Sequence, residues 1–152
     1  MILLWVTLGF LTGSLIEWLT HKYILHNFKI KSLSHNHFGL HHKKTRKNGG
    51  RDNSYESFPP KTWDDGLAEI FMVSLLAVLV LPTWIVSPWL WGSLSLHACV
   101  YYLVHRKAHL DVKWCKKWIP WHWDHHMGKN QNMNWGITSP LFDYIFRTRQ
   151  KY

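Results

Sequence analysis

The sequence contains little cysteine and little acidic charge. Only 2 of its 152 residues are cysteine, Cys99 in an apolar block and Cys115 in a basic one. A disulfide framework is therefore excluded, and both thiols are expected to stay reduced. Aspartate and glutamate together number 9 against 18 lysines and arginines, a net charge of +9. Such a positive charge has three common explanations: binding to nucleic acid, binding to an anionic membrane surface, or orientation of the chain in a bilayer.

The sequence also lacks a nucleic-acid-binding motif and a signal peptide, which narrows the explanations of its charge. The sequence has no recognised nucleic-acid-binding motif, and a membrane also accounts for the apolar blocks, so we expect no nucleic-acid partner. Residues 1–16 are almost wholly apolar and lack the basic n-region and the small-residue cleavage site of a signal peptide. They predict a membrane helix that continues into the first histidines. A full span needs roughly 20 residues, which the turns of Trp18–Ile24 would complete.

Apolar residues are gathered in blocks later in the chain. Leu67–Val86 and Trp89–Val104 flank Ser87 and Pro88, with Pro82 and several tryptophans near the tip. This arrangement predicts a helical hairpin with tryptophans at a membrane interface. Each leg is near the lower limit for a span, so a re-entrant hairpin that enters from one leaflet is the alternative.

Histidine is strongly over-represented, with 12 in the chain. His97 lies inside an apolar block and is expected to be a hydrogen-bonded packing residue rather than a ligand, and His35 is expected to be a bystander. Each other group, taken alone, could also be an interfacial or exposed polar segment. Ten histidines form four groups: His21 and His26; His37, His41 and His42; His105 and His109; and His122, His125 and His126.

The spacing within these groups is typical of metal ligands on helices. If the last group is helical, its members lie at i, i+3 and i+4 and present three imidazoles to one face. In the second group, His37 and His41 are helical neighbours, and His42 is offset by about 100°. His21 and His26 are about 140° apart on an ideal helix, so they can face one metal only if the helix ends or bends there.

The charge distribution predicts the topology. If the first helix ends on the basic side and the hairpin goes out and returns, every histidine group lies on the same face as nearly all lysines and arginines. The positive-inside rule makes that face cytoplasmic. We therefore expect one all-α domain over residues 1–152, an integral-membrane helical bundle with a cytosolic histidine-rich metal-binding cap. Its apolar membrane segments are expected at about 1–20, 67–86 and 89–104.

The number and type of ligands indicate two metal ions. Ten imidazoles exceed what one ion can bind, and structural zinc usually recruits cysteine, which these groups lack. Imidazole suits iron, zinc and copper alike, so ligand type does not identify the metal. Carboxylates such as Glu17, Asp124 and Asp143 are expected to accept hydrogen bonds that fix the histidine tautomers.

The four groups, in this order, resemble the histidine boxes of the membrane fatty acid hydroxylase/sterol desaturase superfamily. Trp135–Thr148 also resembles the closing motif of that family, in which a Gly-x-Thr-Ser run precedes an aromatic-Asp pair and Phe-x-Thr. The similarity extends from about Glu17 to Arg149. The chain departs from the pattern in two ways. Its second box has three residues before His-His where many hydroxylases have two, and it is shorter than most members.

The resemblance implies a membrane di-iron oxygenase that uses O2 to hydroxylate a C–H bond of a lipid, such as a fatty acyl chain or a sterol. It implies that all ten grouped histidines are metal ligands, with zinc as an alternative occupant in purified preparations and no catalytic residue beyond the ligands. Two alternatives are a lipid desaturase on the same site and a non-catalytic membrane metal-binding protein.

Reduction of O2 requires electrons, but the sequence shows no flavin-, nicotinamide- or haem-binding segment. A separate electron-transfer protein, a cytochrome or ferredoxin, is therefore implied. Its expected docking surface is the basic stretch Lys43–Arg51 or Lys113–Lys117. The lipid, the carbon attacked and the oligomeric state are left open.

Overall fold

A computed structural model describes residues 1–59 and 65–152. Within these ranges the chain is all-α, as predicted, and contains no β-strand. Two segments of π-helix, at His21–Leu25 and His35–His42, and a 3-10 turn at Asn53–Tyr55 complete the regular structure. The α-helices are α1 (Ile2–Thr20), α2 (Lys31–Ser34), α3 (Lys43–Lys47), α4 (Asp65–Leu79), α5 (Thr83–Val86), α6 (Pro88–Leu110), α7 (Val112–Trp118), α8 (Pro120–Met127) and α9 (Leu141–Ile145).

Helix α1 continues without a break into the first π-helical segment, as the prediction of a helix running into the first histidines required. Together they form Ile2–Leu25, and only this stretch of the described residues is long and apolar enough to cross a membrane by length and composition. Leu3 and Leu4 are among the side chains that it leaves exposed. The helix therefore has an apolar surface that no part of the described chain covers.

Helix α1 packs along α6, and small residues make the close approach possible. Gly9 and Gly13 are one helical turn apart and face Ser93 and His97 of α6. A Cβ atom at Gly13 would lie 2.6 Å from Cγ of His97. This small-xxx-small spacing is a common way for apolar helices to bring their backbones together. It sets the distance between the two helices that carry His21 and His105.

The predicted hairpin is present, but its helices have other bounds than expected. The first leg ends at Leu79 rather than near residue 86, because a turn at Val80–Pro82 separates α4 from the short α5. The second leg begins with Pro88 in its first turn and continues past residue 104 to Leu110. The 15 residues of α4 span only about 22 Å, less than a hydrocarbon core of roughly 30 Å.

The basic segment after α6 forms α7, and a small apolar core attaches it to the bundle. Cys115 is buried with Ala108 of α6 and Ile119. Lys113, Lys116 and Lys117 remain exposed. The segment therefore presents a positively charged surface close to the histidine-bearing ends of α6 and α8.

Candidate metal centre

A π-helical turn resolves the geometry of the first histidine pair. In the segment His21–Leu25, the backbone N–H of His26 donates to the carbonyl oxygen of His21 at 3.2 Å, five residues back. The two rings lie 5.1 Å apart, centroid to centroid. The predicted bend is therefore a widened turn, a feature that often occurs at functional sites. It brings together two side chains that an α-helix would direct apart.

The second π-helical segment changes the expected grouping of the middle histidines. His37 and His42 are also five residues apart, and their rings are 5.0 Å from each other. Both belong to one cluster of possible ligands, whereas His41 belongs to another. The predicted neighbours His37 and His41 do lie close together, with ring centroids 5.3 Å apart, but they belong to different clusters.

The last histidine group divides between the two clusters. His125 lies with the first cluster and His126 with the second. His122 stands beside the second, with its Nε2 3.1 Å from Nε2 of His109. The predicted helical spacing is present, since Pro120–Met127 is α-helical, but α8 lies between the clusters and supplies both.

Nine of the ten predicted ligands thus converge in two compact clusters, and the tenth, His122, lies at the edge of the second. Within each cluster, one nitrogen of every residue lies within 4.8 Å of those of the others. We call His21, His26, His37, His42 and His125 the first cluster, and His41, His105, His109 and His126 the second cluster.

Burial favours the uncharged form of several of these imidazoles. Removal from water lowers the pKa of His26 to about 4. It is also the largest cause of the lowered pKa of His42, His125 and His126, to which neighbouring histidines add. A histidine must be neutral to donate its lone pair to a metal. These four imidazoles can therefore offer a lone pair to a cation at neutral pH.

Hydrogen bonds orient the ring nitrogens in both clusters. In six histidines, Nδ1–H donates to an oxygen, so the lone pair is on Nε2. The acceptors in the first cluster are the Trp135 carbonyl for His21 at 2.7 Å, the Met133 carbonyl for His125 at 2.7 Å and Oε1 of Gln131 for His42 at 2.7 Å. Those in the second are Oδ2 of Asp52 for His41 at 2.9 Å, Oε1 of Glu69 for His105 at 2.7 Å and the Gly50 carbonyl for His109 at 3.3 Å.

The Nε2 atoms face one another without a proton between them. Nε2 of His42 lies 3.1 Å from Nε2 of His125, and the same atoms of His105 and His109 are also 3.1 Å apart. Each of these rings already carries its proton on Nδ1, so two lone pairs point at each other in each pair. Such an arrangement is repulsive unless a cation lies between the nitrogens. The residues therefore fit a bound metal ion in each cluster.

The three carboxylates that the sequence suggested as acceptors have another role. Glu17 accepts hydrogen bonds from the backbone N–H groups of Ile137 and Thr138. Asp143 accepts from the backbone of Trp135 at 2.8 Å, and Asp124 pairs with Arg149 at 2.7 Å. They hold the C-terminal segment rather than the imidazoles. The prediction that they fix the histidine tautomers was wrong, because it could not take account of contacts between residues far apart in sequence.

The side chains that do accept the Nδ1 protons, Asp52, Glu69 and Gln131, were not predicted from the sequence. Glu69 had one signal in the sequence, a carboxylate that interrupts an apolar block. Gln131 and Asp52 had none. The Gly50 carbonyl is the acceptor for His109. Glycine suits this position because its φ is +99° and a Cβ there would collide with Trp123.

The two histidines outside the groups stay outside the clusters. His97 lies within 3.2 Å of Oγ1 of Thr138 through its Nε2 and packs edge-on against Phe10. Its placement agrees with the expected packing role. His35, at the start of the second π-helical segment, is exposed and belongs to neither cluster.

An apolar cavity of about 250 Å³ reaches both clusters. Its walls are formed by α1, α4 and α6, with side chains such as Met72, Leu76 and Ala98. His21 and His37 of the first cluster and His105 of the second line it as well. A hydrocarbon chain in this cavity would therefore lie against the imidazoles of both clusters.

Two comparisons with known proteins give a match. A family model described as fatty acid hydroxylase matches residues 6–148. The chain is similar to the dihydroceramide fatty acyl 2-hydroxylase FAH2 of Arabidopsis thaliana, with 28% identity over 163 residues that cover 94% of this chain and 59% of that protein. The chain thus spans less than two thirds of the length of this relative. No solved structure gives a significant match.

Proposed function

This chain belongs to the fatty acid hydroxylase family, and we propose that it is an integral-membrane oxygenase that hydroxylates a C–H bond of a lipid. The observation that carries the proposal is the pair of buried clusters whose Nε2 lone pairs converge at the end of an apolar cavity. Each hydroxylation consumes one O2, two electrons and two protons, and it releases one water.

We propose that the ten histidines bind two iron ions. Both clusters consist of histidines alone, since Cys115 of α7 lies in the apolar core and Cys99 lies outside both clusters. Imidazole also suits zinc, which could replace iron during purification. Iron bound in this set would activate O2 and oxidise the C–H bond.

The residues of the chain itself position the substrate. The apolar side chains of α1, α4 and α6 would admit an acyl chain and exclude water, and the three histidines in the cavity wall would place one carbon beside the clusters. Fixed placement of the reacting carbon determines which C–H bond reacts. The name of the Arabidopsis relative makes the acyl chain of a dihydroceramide the first substrate to test.

The electrons are proposed to come from a separate cytochrome or ferredoxin. Helix α3 follows the second π-helical segment directly and packs near α8, and it presents Lys43 and Lys47 to the surface. Helix α7, with its exposed lysines, leads into α8. These two basic surfaces lie close to the clusters and suit an acidic carrier. We also propose that this basic face is cytoplasmic, as the positive-inside rule predicts.

The test is mass spectrometry of lipids from cells that express the protein, compared with cells that express His126→Ala. We expect a lipid that gains one oxygen atom with the wild type and not with the variant. His35→Ala, outside both clusters, is the matched control and should retain the product. A product that has lost two hydrogens would replace hydroxylation with desaturation. A product that persists with His126→Ala would reject the proposed centre.

A further inference from the structure

The two clusters differ in the charge of the groups that accept their Nδ1 protons. The three acceptors of the first cluster are neutral: two backbone carbonyls and the Gln131 amide. Two of the three acceptors of the second cluster are carboxylates, Asp52 and Glu69. Among the described residues, no carboxylate accepts a hydrogen bond from a histidine of the first cluster. The two sites are thus chemically unequal.

Both carboxylates are held by additional donors. Asp52, which is 1% exposed, also accepts from the backbone and the hydroxyl of Ser54, at 2.9 and 2.7 Å. Oε2 of Glu69 accepts from the Tyr55 hydroxyl at 2.7 Å. Hydrogen bonds to an ionised carboxylate are stronger than bonds between neutral groups. Both side chains are therefore fixed in position beside their histidines.

The position of Glu69 is otherwise costly. It lies on α4 in the wall of the apolar cavity, near Ala68, Met72 and Val73. A buried carboxylate is unfavourable unless it is paired and hydrogen-bonded. Its contact with Nδ1 of His105 at 2.7 Å supplies that pairing and directs Nε2 of His105 into the second cluster.

A carboxylate that accepts the Nδ1 proton makes the imidazole a stronger donor and adds negative charge beside the ion. We infer that the second cluster is the tighter of the two metal sites, with Asp52 and Glu69 as the positioning residues that make it so. This inference rests on the proposed two-metal function and adds to it which of the two sites binds its ion more tightly. In wild-type protein, one ion should bind before the other.

The order of binding can be measured with metal alone. Metal-depleted protein in detergent is titrated with Zn²⁺ in competition with a chromogenic chelator. We expect two steps of different affinity. His109→Ala should remove the tighter step, and His125→Ala should remove the weaker one.

Changes to the acceptors test the cause. Glu69→Gln and Asp52→Asn keep the shape of each side chain but remove its charge, so each should weaken the tighter step by about 10- to 100-fold. The weaker step should stay as in the wild type. Glu56→Gln is the matched control, because Glu56 pairs with Arg51 at the surface, where the two side chains are 56% and 45% exposed.

The reverse change gives an independent readout. Gln131→Glu places a carboxylate against Nδ1 of His42, so it should tighten the weaker step and bring the two affinities together. A purely structural role for the acceptors does not predict this gain. Equal steps in the wild type, or a Glu69→Gln variant that weakens both steps alike, would overturn the inference while leaving the two-metal proposal intact. Wild-type protein that binds no metal would overturn both.

Discussion

Loss of the Asp143 side chain should disturb the orientation of the candidate ligands without changing the helices that carry them. Asp143 is fully buried and accepts four hydrogen bonds. The donors are the Trp18 indole at 3.1 Å, the backbone N–H groups of Trp135 and Gly136 at 2.8 Å each, and the Thr148 hydroxyl at 2.7 Å. Because the Trp135 carbonyl orients His21, this carboxylate determines the position of a predicted ligand from one step away.

The cost of Asp143→Ala follows from the donors that it leaves unpaired. The Thr148 hydroxyl can rotate, but the indole and the two backbone N–H groups cannot. A buried donor without a partner costs about 1–3 kcal/mol. The sum over the three is about 3–9 kcal/mol, and total stability is typically about 5–15 kcal/mol. We therefore expect the C-terminal segment to detach, since detachment lets water satisfy these donors.

The assay combines limited proteolysis with metal content. Asp143→Ala should be cleaved within residues 129–150 under conditions in which the wild type resists, and it should retain less metal. Asp143→Asn should be intermediate, because its amide keeps one acceptor oxygen. Asp111→Asn, at an exposed carboxylate that pairs with Lys107, is the matched control. If Asp143→Ala resists protease and retains metal as the wild type does, the role assigned to this carboxylate is refuted.

Three further predictions concern packing, the thiol and pH. Gly13→Leu should lower thermal stability and expression, because the new side chain would collide with His97. Gly92→Ala should be tolerated, since no neighbouring atom lies within 4 Å of a Cβ there. Equal melting temperatures for the two variants would contradict the contact between α1 and α6. Burial raises the pKa of Cys115 to about 12, so its alkylation by iodoacetamide should be slow in folded protein and fast after denaturation, and rapid labelling of folded protein would be inconsistent with the core. Because burial lowers the pKa of His26 from its usual 6.5 to about 4, the unfolded chain takes up a proton in this range that the folded chain does not. Metal-free protein should therefore lose thermal stability as pH falls from 7 to 4, and a melting temperature that does not change with pH would refute this.

Much of the architecture could be predicted because its signals are local. Apolar blocks of helical length predicted α1, α4 and α6, and the prolines at residues 82 and 88 predicted where the hairpin turns. The ten candidate ligands could be named because four histidine groups fall on one predicted face of the membrane and resemble, in order, the histidine boxes of a known family. The family, too, could be identified from four short motifs in order.

The division of these ligands between two clusters could be read only from the tertiary structure. Spacing rules assume 3.6 residues per turn, whereas π-helical turns pair His21 with His26 and His37 with His42. The tautomers were equally inaccessible, because each proton acceptor is a long-range contact. Glu69 reaches His105 from another helix, across 36 positions of sequence.

The sequence by itself thus determined the helical class, the family and the identity of the candidate ligands, because residue type and spacing are properties of short segments. The tertiary structure alone decided which candidate ligands form each cluster, which oxygens orient them and where an apolar cavity reaches them. These depend on how α1 and α4 pack against α6 and on where α8 lies beside them. That packing also brings the Nε2 atoms of neighbouring histidines to within 3.1 Å of one another.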